Sequence, residues 1–111
     1  MIVDKTINYS LEIIKYYEIL NNEKKFVIAK QLLRSSTSIG ANVVEAQNGE
    51  SKADFLHKIK IAAEEAYEAL YWLKFEKSEG FKFELKYQKD LEEIIRILSK
   101  IIITSKNNLL K

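Results

Sequence analysis

The chain of 111 residues contains no proline and only three glycines, at positions 40, 49 and 80. Proline and glycine are the residues that most often interrupt regular structure, so their scarcity favours a few long helices over many short strands. The length is that of one ordinary domain. We therefore predict a single all-α domain spanning residues 1–111.

Apolar residues recur at helical spacing in four segments, which predicts helices at about 3–20, 24–47, 51–78 and 82–106. Asn21 and Asn22 are the predicted stop of the first helix, because Asn tolerates a left-handed cap conformation. Ser51 is a good N-cap for the third helix, and Gly80 suits the position just after its end. Short connections make successive helices antiparallel, so we predict an up-down-up-down four-helix bundle.

The sequence leaves one structural point open in each of the first two helices. On the first, the main apolar stripe is Val3, Ile7, Leu11, Ile14 and Tyr17, while Tyr9, Ile13, Tyr16 and Leu20 lie off it and are a second reason to expect self-association. On the second, residues 35–40 have poor helix propensity, so either the helix breaks there or small side chains let another helix approach. We favour the second alternative, because the apolar phase runs unbroken from Leu33 through Gly40 to Val43. The alanine-rich face of the third helix is the expected neighbour.

The third predicted helix carries two apolar faces. The broad one is made of Phe55, Ile59, Ala62, Ala63, Ala66, Ala69, Leu70 and Leu73. The far face holds Ile61, Trp72 and Phe75, threaded between Glu65 and Glu68. One small bundle buries only one of these faces, and apolar area left in water costs roughly 25 cal/mol per Å². We therefore predict that these five far-face residues form a subunit interface.

A polar line follows the second helix. Arg34, Ser38, Asn42 and Glu45 are spaced by one turn each, away from its apolar face. A solvated surface is one interpretation. The other is a hydrogen-bonded seam between helices or subunits, since Asn both donates and accepts while Arg and Glu supply charge-assisted bonds.

The run from Arg34 to Leu73 resembles the "four helix bundle protein" family, whose founding members are encoded by intervening sequences in bacterial 23S ribosomal RNA genes. The resemblance rests on RSSTSIGANVVEA, beginning at Arg34, on SKADFLHKIKIA, beginning at Ser51, and on EAYEALYWL, beginning at Glu65. The accessory variability protein of diversity-generating retroelements is a relative. The resemblance implies a four-helix bundle that assembles into a homopentamer and whose role is largely unassigned.

The formal net charge of +2 is small, but its distribution is uneven, with no acid from Ile94 onward. Retroelement relatives bind nucleic acid and a reverse transcriptase, so sequence-independent RNA or DNA binding by an assembled pentamer is the alternative function. The candidate contacts are Lys82, Lys86, Lys89, Arg96, Lys100, Lys106 and Lys111. Alternatively, these basic residues keep an apolar bundle soluble.

Nothing in the sequence favours an enzyme. The chain has no cysteine and one histidine, and the Asp54–His57 spacing, although used in di-iron bundles, lacks the second carboxylate–His pair that such sites require. We expect a surface histidine, no metal, no cofactor and no small-molecule substrate. No apolar run approaches a membrane span, and the N-terminus is too polar for a secretory signal, so a cytoplasmic location is expected.

Overall fold

The computed structural model describes residues 1–78 and 85–110, which form four helices and no strand. The helices are α1 (Ile2–Asn22), α2 (Phe26–Gln47), α3 (Lys52–Ser78) and α4 (Leu85–Leu110). The prediction of an all-α chain with four helices is confirmed. Gly80 and the predicted start of the fourth helix at residue 82 lie outside the described residues.

Three helix pairs are held by contacts whose residue numbers rise along one helix as they fall along the other. The contacting pairs are Tyr9–Ser36 and Thr6–Gly40 between α1 and α2, Arg34–Glu65 and Glu45–Lys58 between α2 and α3, and Lys5–Glu93 and Glu12–Lys86 between α1 and α4. The most extensive packing is between α2 and α3. The result is a rod of 51 × 21 × 21 Å.

The buried face of α1 is not the stripe that the sequence favoured. The side chains in the core are Thr6, Tyr9, Ile13, Tyr16 and Leu20. Ile7, Leu11 and Ile14 instead keep 44%, 53% and 41% of their surface exposed. The polar groups of the buried face are satisfied: the Thr6 hydroxyl donates to carbonyls of its own helix, and Tyr9 OH bonds Ser36 Oγ at 3.1 Å.

The second helix is continuous through residues 35–40, as predicted, and at Gly40 its close neighbour is α1. A Cβ built on Gly40 would lie 3.4 Å from Thr6 Oγ1. Ser35 and Ser36 are fully buried, and the Ser35 hydroxyl donates to the carbonyl of Gln31 at 2.8 Å. Small residues on α2 therefore let α1 approach without leaving hydroxyl groups unpaired.

In the segments that connect the helices, one prediction from the sequence is confirmed and one is wrong. Ser51 caps α3, since its Oγ accepts a hydrogen bond from the Asp54 amide at 3.1 Å. Residues 24–25, predicted to be helical, are not. Lys24 has a φ of 62°, which ends α1 and delays the start of α2 to Phe26.

Candidate functional site

The predicted interface on α3 is half-buried in the single chain. Ile61, Trp72 and Phe75 each keep only part of their surface exposed, and Trp72 packs against the margin of the core. The indole N–H donates to Glu68 Oε2 at 3.3 Å. Tyr71 and Phe75 flank the indole at centroid distances of 5.0 and 6.1 Å. This face is therefore smaller in exposed area than the sequence indicated.

Arg34 ties that face to α2. Its Nη1 donates to Glu65 Oε2 at 2.9 Å, and its Nη2 donates to Glu68 Oε2. Its Nε also donates to Gln31 Oε1 at 3.3 Å. The hydrogen bond to Glu68 raises the pKa of Arg34 above its ordinary value. One cation thus bridges both acids beside Trp72, and the three groups together keep one negative charge.

The polar line on α2 bonds to α3 only at its two ends. Besides Arg34, Glu45 reaches α3 through an ion pair with Lys58 at 2.9 Å. In the middle, the Ser38 hydroxyl donates to the carbonyl of Arg34 at 2.7 Å, and Asn42 Nδ2 donates to the carbonyl of Ser38 at 2.9 Å. Both middle residues therefore bond to their own helix.

Ile61 lies opposite the middle of this line. It follows Lys58 by one turn and precedes Glu65 by one turn, and both of these residues bond to α2. We name the surface formed by Arg34, Ser38, Asn42, Glu45 and Ile61 the α2/α3 seam. Its charged groups lie at the two ends, and its centre is uncharged.

A second apolar surface lies on α1 and was not assigned to an interface from the sequence. Ile7, Leu11 and Ile14 project from the bundle as what we name the α1 ridge. Beside the ridge runs a groove of about 460 Å³, lined by Ile7, Ser10, Leu11, Thr37, Gly40, Ala41 and Val44. The sequence shows two competing apolar stripes on α1, but the spacing of the apolar residues does not show which stripe faces outward.

A second groove lies between α1 and α4. It has a volume of about 560 Å³ and is lined by Lys5, Asn8, Tyr9, Leu11, Glu12, Ile14, Lys15, Lys86, Asp90 and Ile94. Two ion pairs join these helices, Lys5 to Glu93 at 3.0 Å and Lys86 to Glu12 at 3.6 Å. This groove therefore combines charged side chains with Leu11 and Ile14 of the α1 ridge, which borders it.

The candidate nucleic-acid contacts lie on α4. Lys86, Lys89, Arg96, Lys100 and Lys106 are all exposed. Lys89, Arg96 and Lys100 follow one another at helical spacing and so share one side of the helix. Lys82 and Lys111 lie outside the described residues.

His57 is exposed at the start of α3. Within residues 1–78 and 85–110, no group of three or more His, Cys, Asp or Glu side chains is placed to hold a metal ion. None of the helices in this part of the chain combines the length and apolarity that crossing a bilayer requires.

The chain matches a known protein family and is similar to solved structures. The sequence model of a family described as 23S rRNA-intervening sequence protein matches residues 1–103. A crystal structure at 1.70 Å, of a protein with unknown function from the S23 ribosomal protein family of Bacteroides thetaiotaomicron VPI-5482, is similar with a TM-score of 0.87 and 40% identity. The match covers 92% of this chain and 98% of that one. No curated protein matches the chain.

Proposed function

This chain belongs to the 23S rRNA-intervening sequence protein family, and from that premise we propose that it is a non-enzymatic scaffold that self-associates into a homopentamer. The opposed registers of the helix contacts support an up-down-up-down order within each copy. The number five comes from the resemblance of the Arg34–Leu73 motifs to ring-forming members of the family. We further propose that the assembly acts in the cytoplasm.

The observation that carries self-association is the α1 ridge. Three neighbouring large aliphatic side chains are each more than two-fifths exposed, and Val44 across the groove is 41% exposed. Contiguous apolar patches of this kind mark interaction surfaces more often than ordinary solvent-facing surface. Docking a second copy removes that apolar area from water, at roughly 25 cal/mol per Å².

Light scattering coupled to size exclusion tests this proposal. We expect a particle of about five times the 12.9 kDa chain mass at micromolar concentration. The mass should stay constant on tenfold dilution if the apolar contact is strong. A particle of one chain mass under these conditions would rule out the scaffold proposal, and a stable particle of another multiple would rule out the pentamer alone.

A second candidate function is sequence-independent RNA or DNA binding by the assembled ring, alone or beside a nucleic-acid enzyme. The acid-free run from Ile94 to Leu110 supports it, because it places Arg96, Lys100 and Lys106 on an exposed surface. Five copies would carry a formal charge of about +10, and rotational symmetry would bring the basic residues of neighbouring copies close together.

An electrophoretic mobility shift at about 50 mM salt tests nucleic-acid binding. We expect a shift with unrelated RNA and DNA sequences that weakens at least tenfold at about 200 mM salt, because binding releases counterions. Replacing Lys89, Arg96 and Lys100 together by Glu should abolish the shift. The charge-matched control replaces Lys30, Lys60 and Lys74 by Glu, all exposed on other helices, and should retain it. Equal loss in both triple variants would contradict a site on α4.

A further inference from the structure

The outer side of α3 carries two exposed tyrosines that lie outside the interface predicted from the sequence. Tyr67 and Tyr71 each keep 57% of their surface exposed. Because they are four residues apart, they are neighbours along one side of the helix. The Tyr71 ring also contacts Trp72 and Phe75, at centroid distances of 5.0 and 6.4 Å. We name Tyr67, Tyr71, Trp72 and Phe75 the α3 aromatic surface.

Contacts within the α3 aromatic surface hold its rings in one arrangement. The centroids of Trp72 and Phe75 are 6.1 Å apart, so Tyr71, Trp72 and Phe75 each contact the other two. The indole is fixed further by its hydrogen bond to Glu68 and by its packing against the core. A ligand that binds here therefore meets rings that are already ordered, which lowers the entropic cost of binding.

The acids around these rings outnumber the bases. Residues 61–73 of α3 include no base and three acids, which are Glu64, Glu65 and Glu68. Among the described residues, Arg34 of α2 is the base that pairs with them, so this stretch keeps a formal charge of −2. Lys60 and Lys74 lie just beyond its two ends, about 20 Å apart along the helix. The negative charge is therefore local to the aromatic part of α3.

One carboxylate oxygen beside the indole is available to a further donor. Glu68 accepts hydrogen bonds from Arg34 and Trp72, and both end on its Oε2. No hydrogen bond within residues 1–78 and 85–110 reaches its Oε1, although the side chain is 38% exposed. Glu64, one turn earlier, is exposed and makes no ion pair in the same part of the chain. The rings thus lie beside negative charge that the chain itself does not balance.

A guanidinium group fits both the rings and the carboxylates. A cation is attracted to the face of a Tyr or Trp ring, and arginine makes this contact more often than lysine. The same planar group donates charge-assisted hydrogen bonds to a carboxylate. Phosphates are instead repelled by the local charge. From Tyr67 to Phe75 the surface runs about 12 Å, which is longer than one guanidinium and suits a segment of polypeptide.

We propose that the α3 aromatic surface binds a segment of a partner protein that presents an arginine side chain. The guanidinium lies against the Tyr71 ring and donates to Glu68 Oε1, and Glu64 adds to the attraction. Tyr67 and Phe75 pack against the residues on either side of the arginine. The proposal uses no part of the α1 ridge and does not rest on self-association.

A peptide titration followed by tryptophan fluorescence tests this proposal, because Trp72 is the only tryptophan in the chain. The probe is acetyl-Ala-Ala-Arg-Ala-Ala-amide. Its control has citrulline in place of arginine, which keeps the shape of the side chain and removes its charge. At constant ionic strength, we expect a saturable change in Trp72 emission below about 10 mM arginine peptide. The citrulline peptide should bind about tenfold more weakly, since it loses the cation–π contact and the charge-assisted hydrogen bonds.

Two pairs of variants separate the ring from the charge. Tyr71→Leu keeps an apolar side chain without a ring and should weaken binding about threefold, whereas Tyr71→Phe should stay within about twofold of the parent. Glu64→Gln should weaken binding about twofold. Glu18→Gln is its matched control, because it removes the same charge from an exposed position on α1 and should leave the affinity unchanged.

Several outcomes would overturn the proposed binding. These are the absence of a saturable change with the arginine peptide, equal affinity for the citrulline peptide, and unchanged affinity in Tyr71→Leu. A smaller particle mass for Tyr71→Leu than for the parent also overturns it, because this surface then contacts a second copy of the chain. A monomeric parent that still prefers the arginine peptide overturns self-association alone and supports the binding.

Discussion

Lys24 adopts the left-handed backbone conformation, with a φ of 62°, directly after α1. Its amide donates to the carbonyl of Asn21, and the amide of Lys25 donates to the carbonyl of Leu20, both at 3.0 Å. These two bonds form the Schellman motif, whose left-handed position is usually glycine. The sequence offered Asn21 and Asn22 for this role, but the helix continues through both of them.

Lys24→Gly should stabilise the protein by about 0.5–1 kcal/mol. A side chain in the left-handed region costs roughly 1–2 kcal/mol, and the greater freedom of glycine in the unfolded chain offsets part of the gain. Urea unfolding followed by circular dichroism would measure the difference.

Lys25→Gly is the control for that measurement, because Lys25 has an ordinary φ of −94°. Glycine at this position relieves no left-handed φ, so we expect no gain in stability from Lys25→Gly. Equal effects of the two substitutions would mean that the φ of Lys24 is not what limits this turn.

The two glycines within the described residues, Gly40 in α2 and Gly49 in the connection to α3, differ in how tightly they are packed. A Cβ on Gly40 would make an ordinary 3.4 Å contact with a side-chain atom of Thr6. A Cβ on Gly49 would lie 3.1 Å from the Phe55 amide nitrogen and 3.2 Å from the Ala46 carbonyl oxygen, which are backbone atoms. Gly49 therefore allows the end of α2 to approach the start of α3, while Gly40 sits inside a helix that alanine would favour.

We expect Gly49→Ala to destabilise the protein by about 1–3 kcal/mol, through strain at a site where backbone must move. Gly40→Ala should be neutral or stabilising by up to about 1 kcal/mol, from the helix propensity of alanine. Thermal unfolding of the pair compares them directly. A larger loss at Gly40 than at Gly49 would show that the α1–α2 contact is tighter than its 3.4 Å distance implies.

At the scale of the whole molecule, the bundle divides its surface into faces of different character. Ion pairs join α1 to α4 and join α2 to α3 at the two ends of the α2/α3 seam, whereas the α1 ridge is aliphatic. Large apolar side chains are also exposed on the other helices, among them Val27 on α2, Tyr71 on α3 and Ile103 on α4. The α1 ridge is therefore one of several apolar patches on the bundle.

The sequence by itself determined the helical class, the number of helices and the Ser51 cap, because these depend on local propensity and on periodicity within one segment. It also determined that α2 runs through residues 35–40, since the apolar phase did not break there. These features need no information about neighbouring elements.

Only the tertiary structure decided which stripe of α1 is buried. Two apolar stripes compete on that helix, and the choice depends on what α2 and α4 offer: the small Gly40 opposite Thr6, the Ser36 hydroxyl opposite Tyr9, and the Tyr87 ring at 4.8 Å from Tyr16. For the same reason the seam joins helices at Arg34 and Glu45 but not at Ser38 and Asn42. Spacing places side chains on one face, whereas the neighbouring helix decides which of them find partners.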